Sequence, residues 1–104
     1  MFTVKRSDTF RKWISKLKDE KAKAMILLRL TRLEEGHFGD HAYLRNKISE
    51  LKIDFGPGYR VYYTKKGKEV ILLISAGNKK SQKRDINKAI KILAELERKN
   101  ERKV

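Results

Sequence analysis

The chain contains no cysteine, which excludes a disulfide framework and any thiolate metal site. It has a single proline and two histidines among 104 residues. No run reaches the roughly 18 apolar residues that a membrane-spanning helix needs. The opening "MFTVKRSD" lacks the apolar core of a secretory signal. The expectation from these absences is a cytoplasmic protein with no membrane partner. Gly-rich phosphate loops, nucleophile elbows and zinc motifs are absent as well.

Positive charge is abundant. Lys and Arg number 27 against 13 Asp and Glu, a net charge of +14. Residues 1–33 carry ten basic and three acidic side chains, residues 34–78 seven and six, and residues 79–104 ten and four. The charge therefore sits at the two ends of the chain. Such a balance points to nucleic acid or an acidic protein, because each phosphate neutralised releases counterions. The plain alternative is a densely ionic surface. The length suits one domain with one core, and 39% hydrophobic residues can fill it.

Residues 2–5, "FTVK", alternate and predict a short strand. Ser7 or Asp8 can cap a helix whose apolar residues Phe10, Trp13, Ile14 and Leu17 fall on one stripe. A second stripe runs through Ala22, Met25, Ile26, Leu30 and Leu33, with Gly36 as its stop. Only "DE" separates the two, which predicts an antiparallel helical hairpin. "GHFGDHA" reads as a loop. Then the period changes to 2: Leu51, Ile53 and Phe55 alternate with Glu50, Lys52 and Asp54, and a second strand follows over Tyr59–Tyr63. "VILLISA" (70–76) is continuously apolar, as for a central strand covered on both faces. Helical spacing returns at Ile86, Ala89, Ile90 and Leu93, with Ser81 as the expected cap. The predicted order is β-α-α-β-β-β-α in one α+β domain over 1–104, with helices on a small, mostly antiparallel sheet and a frayed tail at about 99–104.

The hairpin in "ELKIDFGPGYRVYY" carries charge among its apolar residues. A two-residue loop, Pro57-Gly58, would place Arg60 among Leu51, Ile53 and Phe55, which is costly. A three-residue loop, Gly56-Pro57-Gly58, pairs Phe55 with Tyr59, Asp54 with Arg60 and Lys52 with Tyr62. One face then holds Leu51, Ile53, Phe55, Tyr59, Val61 and Tyr63, and the other holds Glu50, Lys52, Asp54, Arg60 and Tyr62. This second register is preferred, with Gly58 supplying a positive φ. Two readings of the charged face stand. Lys52 and Arg60 could stabilise charge on phosphate oxygens while Tyr62 stacks on a base. Alternatively, Asp54 and Arg60 form a cross-strand ion pair worth roughly 0.2–1 kcal/mol and Lys52 meets solvent.

"ELKIDFGPGYRVYY", the downstream "ILLISAGNKKSQKRDINKAIKILAEL" and the upstream "FRKWISKLKDEKAKAMILLRLTRLEEGHFGD" together resemble the RelE/HigB toxins of toxin–antitoxin loci. The likeness is to the addiction-module killer branch and runs from about residue 4 to 95. It implies a RelE-like fold and a ribosome-dependent mRNA endonuclease whose nucleophile is the ribose 2′-hydroxyl. Arg60 matches the arginine on the second hairpin strand, Lys52 a basic position on the first, and Lys79 a basic residue past the last strand. Lys80, Gln82 and Lys83 share the "KKSQK" turn at the mouth of the final helix, where an N-terminus favours phosphate. The resemblance thus assigns catalysis to Lys52, Arg60 and Lys79; RNA binding is expected of Lys80, Gln82 and Lys83 in that turn and, from the hairpin face, of Tyr62. No metal or cofactor is needed. The turn reads "AGNKKS" where many relatives have "GGDKS", so Ala76 and Asn78 depart from the pattern. A lysine with an ordinary pKa of about 10.4 is a poor base and arginine is none, so the roles implied are electrostatic. The partners implied are a cognate antitoxin, expected to be a helix-turn-helix protein, together with the ribosome and mRNA. Two alternatives share the fold: a ParE-like gyrase inhibitor, and an inactive module that only binds antitoxin or nucleic acid.

Other constellations are weaker. His37 and His41 read as loop histidines, with a metal or ribonuclease pair as the sharper alternative. The helical spacing of Phe10 and Trp13 favours core packing over a stacking platform. Lys16, Lys18, Lys21 and Lys23 are either a solvated face or contacts to an RNA backbone.

Overall fold

The structure is a computed structural model and describes residues 1–102, with side chains through Lys99. The elements run β1 (Thr3–Arg6), α1 (Asp8–Lys16), α2 (Glu20–Glu34), β2 (His41–Arg45), β3 (Ile48–Ile53), β4 (Tyr59–Lys66), β5 (Val70–Asn78), a 3-10 turn (Lys79–Ser81) and α3 (Gln82–Arg102). The five strands form one sheet in the order β1-β5-β4-β3-β2. β1 pairs parallel to β5, and the other pairs are antiparallel. The expected α+β class and mostly antiparallel sheet are present. α3 extends into the stretch read as a tail, of which 103–104 lie outside the described residues.

The helix ends follow local chemistry. Ser7, not Asp8, caps α1: its Oγ accepts from the Phe10 amide at 3.1 Å and donates to the Ile74 carbonyl. Asp19 caps α2 through the Ala22 amide at 3.1 Å. At the far end Gly36 takes φ +91 and donates to Leu33, while His37 donates to Arg32. That is a Schellman stop, which requires the left-handed conformation glycine adopts freely. The expected cap at Ser81 is instead Asn78, whose side-chain oxygen accepts from the Lys80 and Ser81 amides at 2.9 and 3.3 Å. Asparagine fills the role its amide oxygen suits.

The sheet separates two cores. On one face Leu51, Ile53, Tyr59, Val61, Tyr63, Ile71 and Leu73 pack against Phe10 and Ile14 of α1 and Ala22, Ile26, Leu30 and Leu33 of α2. On the other, Ile48, Tyr62 and Ile74 pack against Ala89 and Leu93 of α3. β5 is thus covered on both sides, as its unbroken apolar run predicts. Met25 departs from the expected stripe: it is 42% exposed, with Leu27 and Leu28 exposed beside it. α2 needs only Ala22, Ile26, Leu30 and Leu33 to cover the sheet, so position 25 falls outside the buried sector.

Two departures concern the strands. "GHFGDHA" does not stay a loop: His41–Arg45 forms an edge strand on β3, joined by a tight turn at Asn46 and Lys47, both with positive φ. The β3–β4 register is shifted by two residues from the expected one. Ile53 lies opposite Tyr59, Lys52 opposite Arg60 and Glu50 opposite Tyr62. The connection is therefore 54–58, with Gly56 and Gly58 at φ +57 and +81. The Gly58 amide turns inward to the Phe55 carbonyl at 3.0 Å, and its own carbonyl accepts from the Lys79 amide at 2.9 Å. Among the described residues no helix is long and apolar enough to cross a membrane.

Candidate functional site

The corner where β3, β4 and β5 meet the start of α3 gathers most of the residues singled out from sequence. Lys52 and Arg60 are direct cross-strand neighbours, and Arg60 lies opposite Gly77 on its other side. Lys79 follows β5 immediately, and its amide is held by Gly58 at the base of β4. Lys80, Gln82 and Lys83 line a cavity of about 670 Å³ at the α3 N-terminus together with Lys79 and Arg84. Three adjoining strands thus bring Lys52, Arg60 and Lys79 to one end of the sheet. Another cavity, of about 740 Å³, lies at the β1 edge beside Arg6, Arg11 and Lys66 and contains none of these seven residues.

Arg60 does not pair with Asp54. Asp54 is exposed beyond the end of β3, whereas the Arg60 Nε lies 3.7 Å from Glu50 Oε1. Arg60 is 12% exposed and Glu50 is buried. Arg60 Nη1 also donates to the Tyr59 carbonyl at 3.1 Å. Gln82 donates from Nε2 to the same Glu50 oxygen at 2.9 Å. Glu50 therefore ties α3 to the sheet and holds the guanidinium from behind. Gln82, read as an RNA contact, is engaged in this internal bond. A buried ion pair adds little net stability, but one partner left alone is costly.

Tyr62 must be reassigned. It is 0% exposed, under α3, in the second core. Its ring cannot stack on a base there, because α3 occupies the space a base would need. Burial pushes its hydroxyl pKa up, the nearby Asp85 and Glu50 carboxylates add to that, and Arg60 partly offsets it. The phenol stays neutral through the physiological range.

Two residues without a role in the sequence reading help build the corner. Asp85, in the first turn of α3, accepts a hydrogen bond from Ser81 Oγ. Its carboxylate lies directly over Gly77: an ideal Cβ there would sit 2.9 Å from the Asp85 carboxyl carbon and 3.2 Å from Ser81 Oγ. Only glycine admits this approach. A carboxylate in the first turn is also favoured by the helix dipole. Arg29 of α2 is the other: it donates to the carbonyls of Lys52, Phe38 and Asp40 at 2.6, 3.0 and 3.0 Å and fixes the β3 end that carries Lys52. Asp85 had a weak signal, its four-residue spacing from Ser81 on a helix. Arg29 had none beyond its place in the helix.

Other candidates lie away from this corner, and His41 belongs to a strand, not to the expected loop. His41 sits on the edge strand with Nδ1 2.8 Å from the Gly39 carbonyl and its ring against Phe38. Among the described residues no cluster of three or more His, Cys, Asp or Glu is placed to hold a metal. Phe10 is fully buried, and Trp13 packs on Phe10 and Tyr59. Lys16, Lys18 and Lys21 are exposed.

The corner can do electrostatic work. An exposed lysine and a guanidinium backed by a carboxylate flank an open end of the sheet, beside a helix start rich in lysine. Such an arrangement suits an anion with several oxygens.

The family model described as phage derived protein Gp49-like (DUF891) matches residues 12–98 of the chain. An uncharacterized protein of Haemophilus influenzae (strain ATCC 51907 / DSM 11121 / KW20 / Rd) is 44% identical over 92 residues, spanning 88% of this chain and 92% of that protein.

Proposed function

The chain belongs to the Gp49-like family of phage-derived proteins, and from that premise and its basic corner we propose that it is the toxin of a toxin–antitoxin pair that cuts mRNA on the ribosome. The observation that carries the reading is the placement of Lys52 beside Arg60, with Lys79 anchored to the adjoining loop. Also in its favour are the sequence's likeness to RelE/HigB toxins and its net charge of +14, which suits a surface of ribosomal RNA.

The reaction is a transfer within the RNA. The 2′-hydroxyl oxygen attacks the adjacent phosphorus, and the bond to the 5′ oxygen of the next nucleotide breaks. One proton leaves the 2′-hydroxyl and one is delivered to the departing 5′ oxygen. The products are a 2′,3′-cyclic phosphate and a 5′-hydroxyl. Negative charge grows on the non-bridging oxygens, and Lys52, Arg60 and Lys79 stabilise it. Glu50 positions Arg60 through the contact on its Nε side. The cognate antitoxin is an acidic protein, or one with an acidic segment, that covers this corner.

Translation extracts with primer extension test the reading. Wild-type protein introduces stops in a translated message. Lys79→Ala, at an exposed position, lowers the cleavage rate by about 10²-fold, the scale of losing one transition-state donor. Uncut message at saturating protein, with growth arrest traced to gyrase, replaces this reading with a ParE-like one. Uncut message without growth arrest leaves only a binding module.

A further inference from the structure

β5 outruns its neighbour. The β1 ladder ends at Arg6 opposite Leu73, and Ser7 closes it through its amide on the Leu73 carbonyl and its hydroxyl on the Ile74 carbonyl. β5 continues to Asn78 with β4 on one side and no strand among the described residues on the other. α1 and α3 wall this open end and leave a groove of about 400 Å³, within the range of small-ligand sites, about 300–1,000 Å³.

The lining has a definite chemistry. Lys12 and Lys16 contribute from α1 and Lys88 from α3, all exposed. Against these cations stands one carboxylate, Asp85, already engaged by Ser81. Trp13 lines the groove while its inner side rests on Phe10 and Tyr59, with ring centroids 6.3 and 6.1 Å away. Ser75 also lines it: the residue is 3% exposed, and its Oγ has no hydrogen-bond partner among the described residues. A buried hydroxyl without a partner in a cationic groove is a cost that a bound acceptor removes.

We propose that this groove binds single-stranded RNA, with Lys12, Lys16 and Lys88 on the phosphates, Trp13 against a base and Ser75 as a hydroxyl contact. The proposal rests on the RNA reading of the corner and adds a subsite to it. Gly77 joins the two places, since it lies opposite Arg60 on one side and under Asp85 on the other. Neighbouring strands are about 4.8 Å apart, so a strand in the groove passes beside the Arg60 corner and holds a flanking nucleotide. Lysines around an aromatic face are the usual composition of single-strand sites. An acidic peptide adding to the β5 edge fits less well, because the open stretch 75–78 is short and a carboxylate side chain has no ring to lie against Trp13.

Trp13 is the sole tryptophan, so its emission reports on this groove. The probe is a 2′-O-methyl RNA of about eight nucleotides, within the size range of single-strand sites, which lacks the hydroxyl needed for cleavage. Titration quenches Trp13 saturably. Lys16→Glu and Lys88→Glu each weaken binding about tenfold or more. Each also lowers the slope of log affinity against log salt by about 0.7, because one phosphate fewer is neutralised. Anisotropy of labelled RNA that shows binding with unchanged Trp13 emission and full affinity in both variants overturns the proposal. So does quenching by hexaglutamate but not by RNA, which assigns the groove to an acidic peptide. A saturable RNA quench in a protein that leaves mRNA intact supports the groove and overturns the nuclease reading alone.

Discussion

Gly77→Ala is the sharpest probe of how the corner is built. The new methyl would lie inside contact distance of Asp85 Oδ2 and 2.9 Å from the carboxyl carbon. Asp85 must then swing away. Its charge-assisted bond with Ser81 contributes about 1.5–3 kcal/mol, and overpacking adds about 1–3 kcal/mol. Alanine's lower backbone entropy in the unfolded chain returns about 0.5–1 kcal/mol. The net loss is about 1.5–5.5 kcal/mol. Asp85→Ala alone removes the bond without a clash and costs about 1–3 kcal/mol. Once Asp85 is alanine, the methyl at 77 meets only the Ser81 hydroxyl, which can rotate. The double variant is then about 2.5–6 kcal/mol more stable than the sum of the single changes. Urea denaturation of the four proteins measures this coupling from shifts in midpoint at constant slope. Additivity within about 0.5 kcal/mol refutes the reasoning.

Glu50→Ala leaves the 12%-exposed Arg60 guanidinium without its carboxylate and Gln82 without its acceptor; the expected loss in urea denaturation is about 2–4 kcal/mol, toward the lower side of buried-pair disruption because the contact is 3.7 Å. Tyr62 ionises less readily folded than unfolded, where its pKa is 10.0, so the native state retains a proton that the unfolded state sheds. Stability therefore falls as pH rises above about 10, by up to about 1.4 kcal/mol per pH unit. Tyr62→Phe removes its share of that alkaline slope, and at pH 7 it is neutral or slightly stabilising because the hydroxyl has no partner among the described residues; thermal melts at pH 7 and 10.5 separate the two effects.

Much of the fold was legible because it depends on periodicity. The α3 stripe of Ile86, Ala89, Ile90 and Leu93 predicts the face that packs on the sheet, and the unbroken run at 70–76 predicts a strand covered on both sides. The hairpin shows where periodicity stops. A period of two fixes which residues share a face but is blind to a shift of two. The sequence therefore separated Lys52 and Arg60 from Leu51 and Val61 correctly, yet paired Arg60 with Asp54 instead of placing it near Glu50. The true register depends on hydrogen bonds from Gly58 to Phe55 and from Lys79 to Gly58, the second of which joins residues far apart in sequence. β2 was hidden because its turn, Asn46-Lys47, lacks the glycine that usually marks such hairpins. Tyr62 was misread for a related reason: a polar-looking sheet face is open only if no helix covers it, and the placement of α3 is tertiary information. The basic composition of the corner was plain from sequence, but Asp85 over Gly77 and Arg29 behind Lys52 required the assembled chain.

The chemistry of the cut ends tests the central claim most directly. Purified protein is mixed with ribosomes translating a defined message, and the fragments are treated with enzymes that distinguish terminal phosphates. Upstream fragments are expected to end in a 2′,3′-cyclic phosphate and downstream fragments to begin with a 5′-hydroxyl, both formed about 10²-fold more slowly with Lys52→Ala. Fragments carrying a 5′-phosphate, or a message that stays whole with protein in excess over ribosomes, contradict the claim.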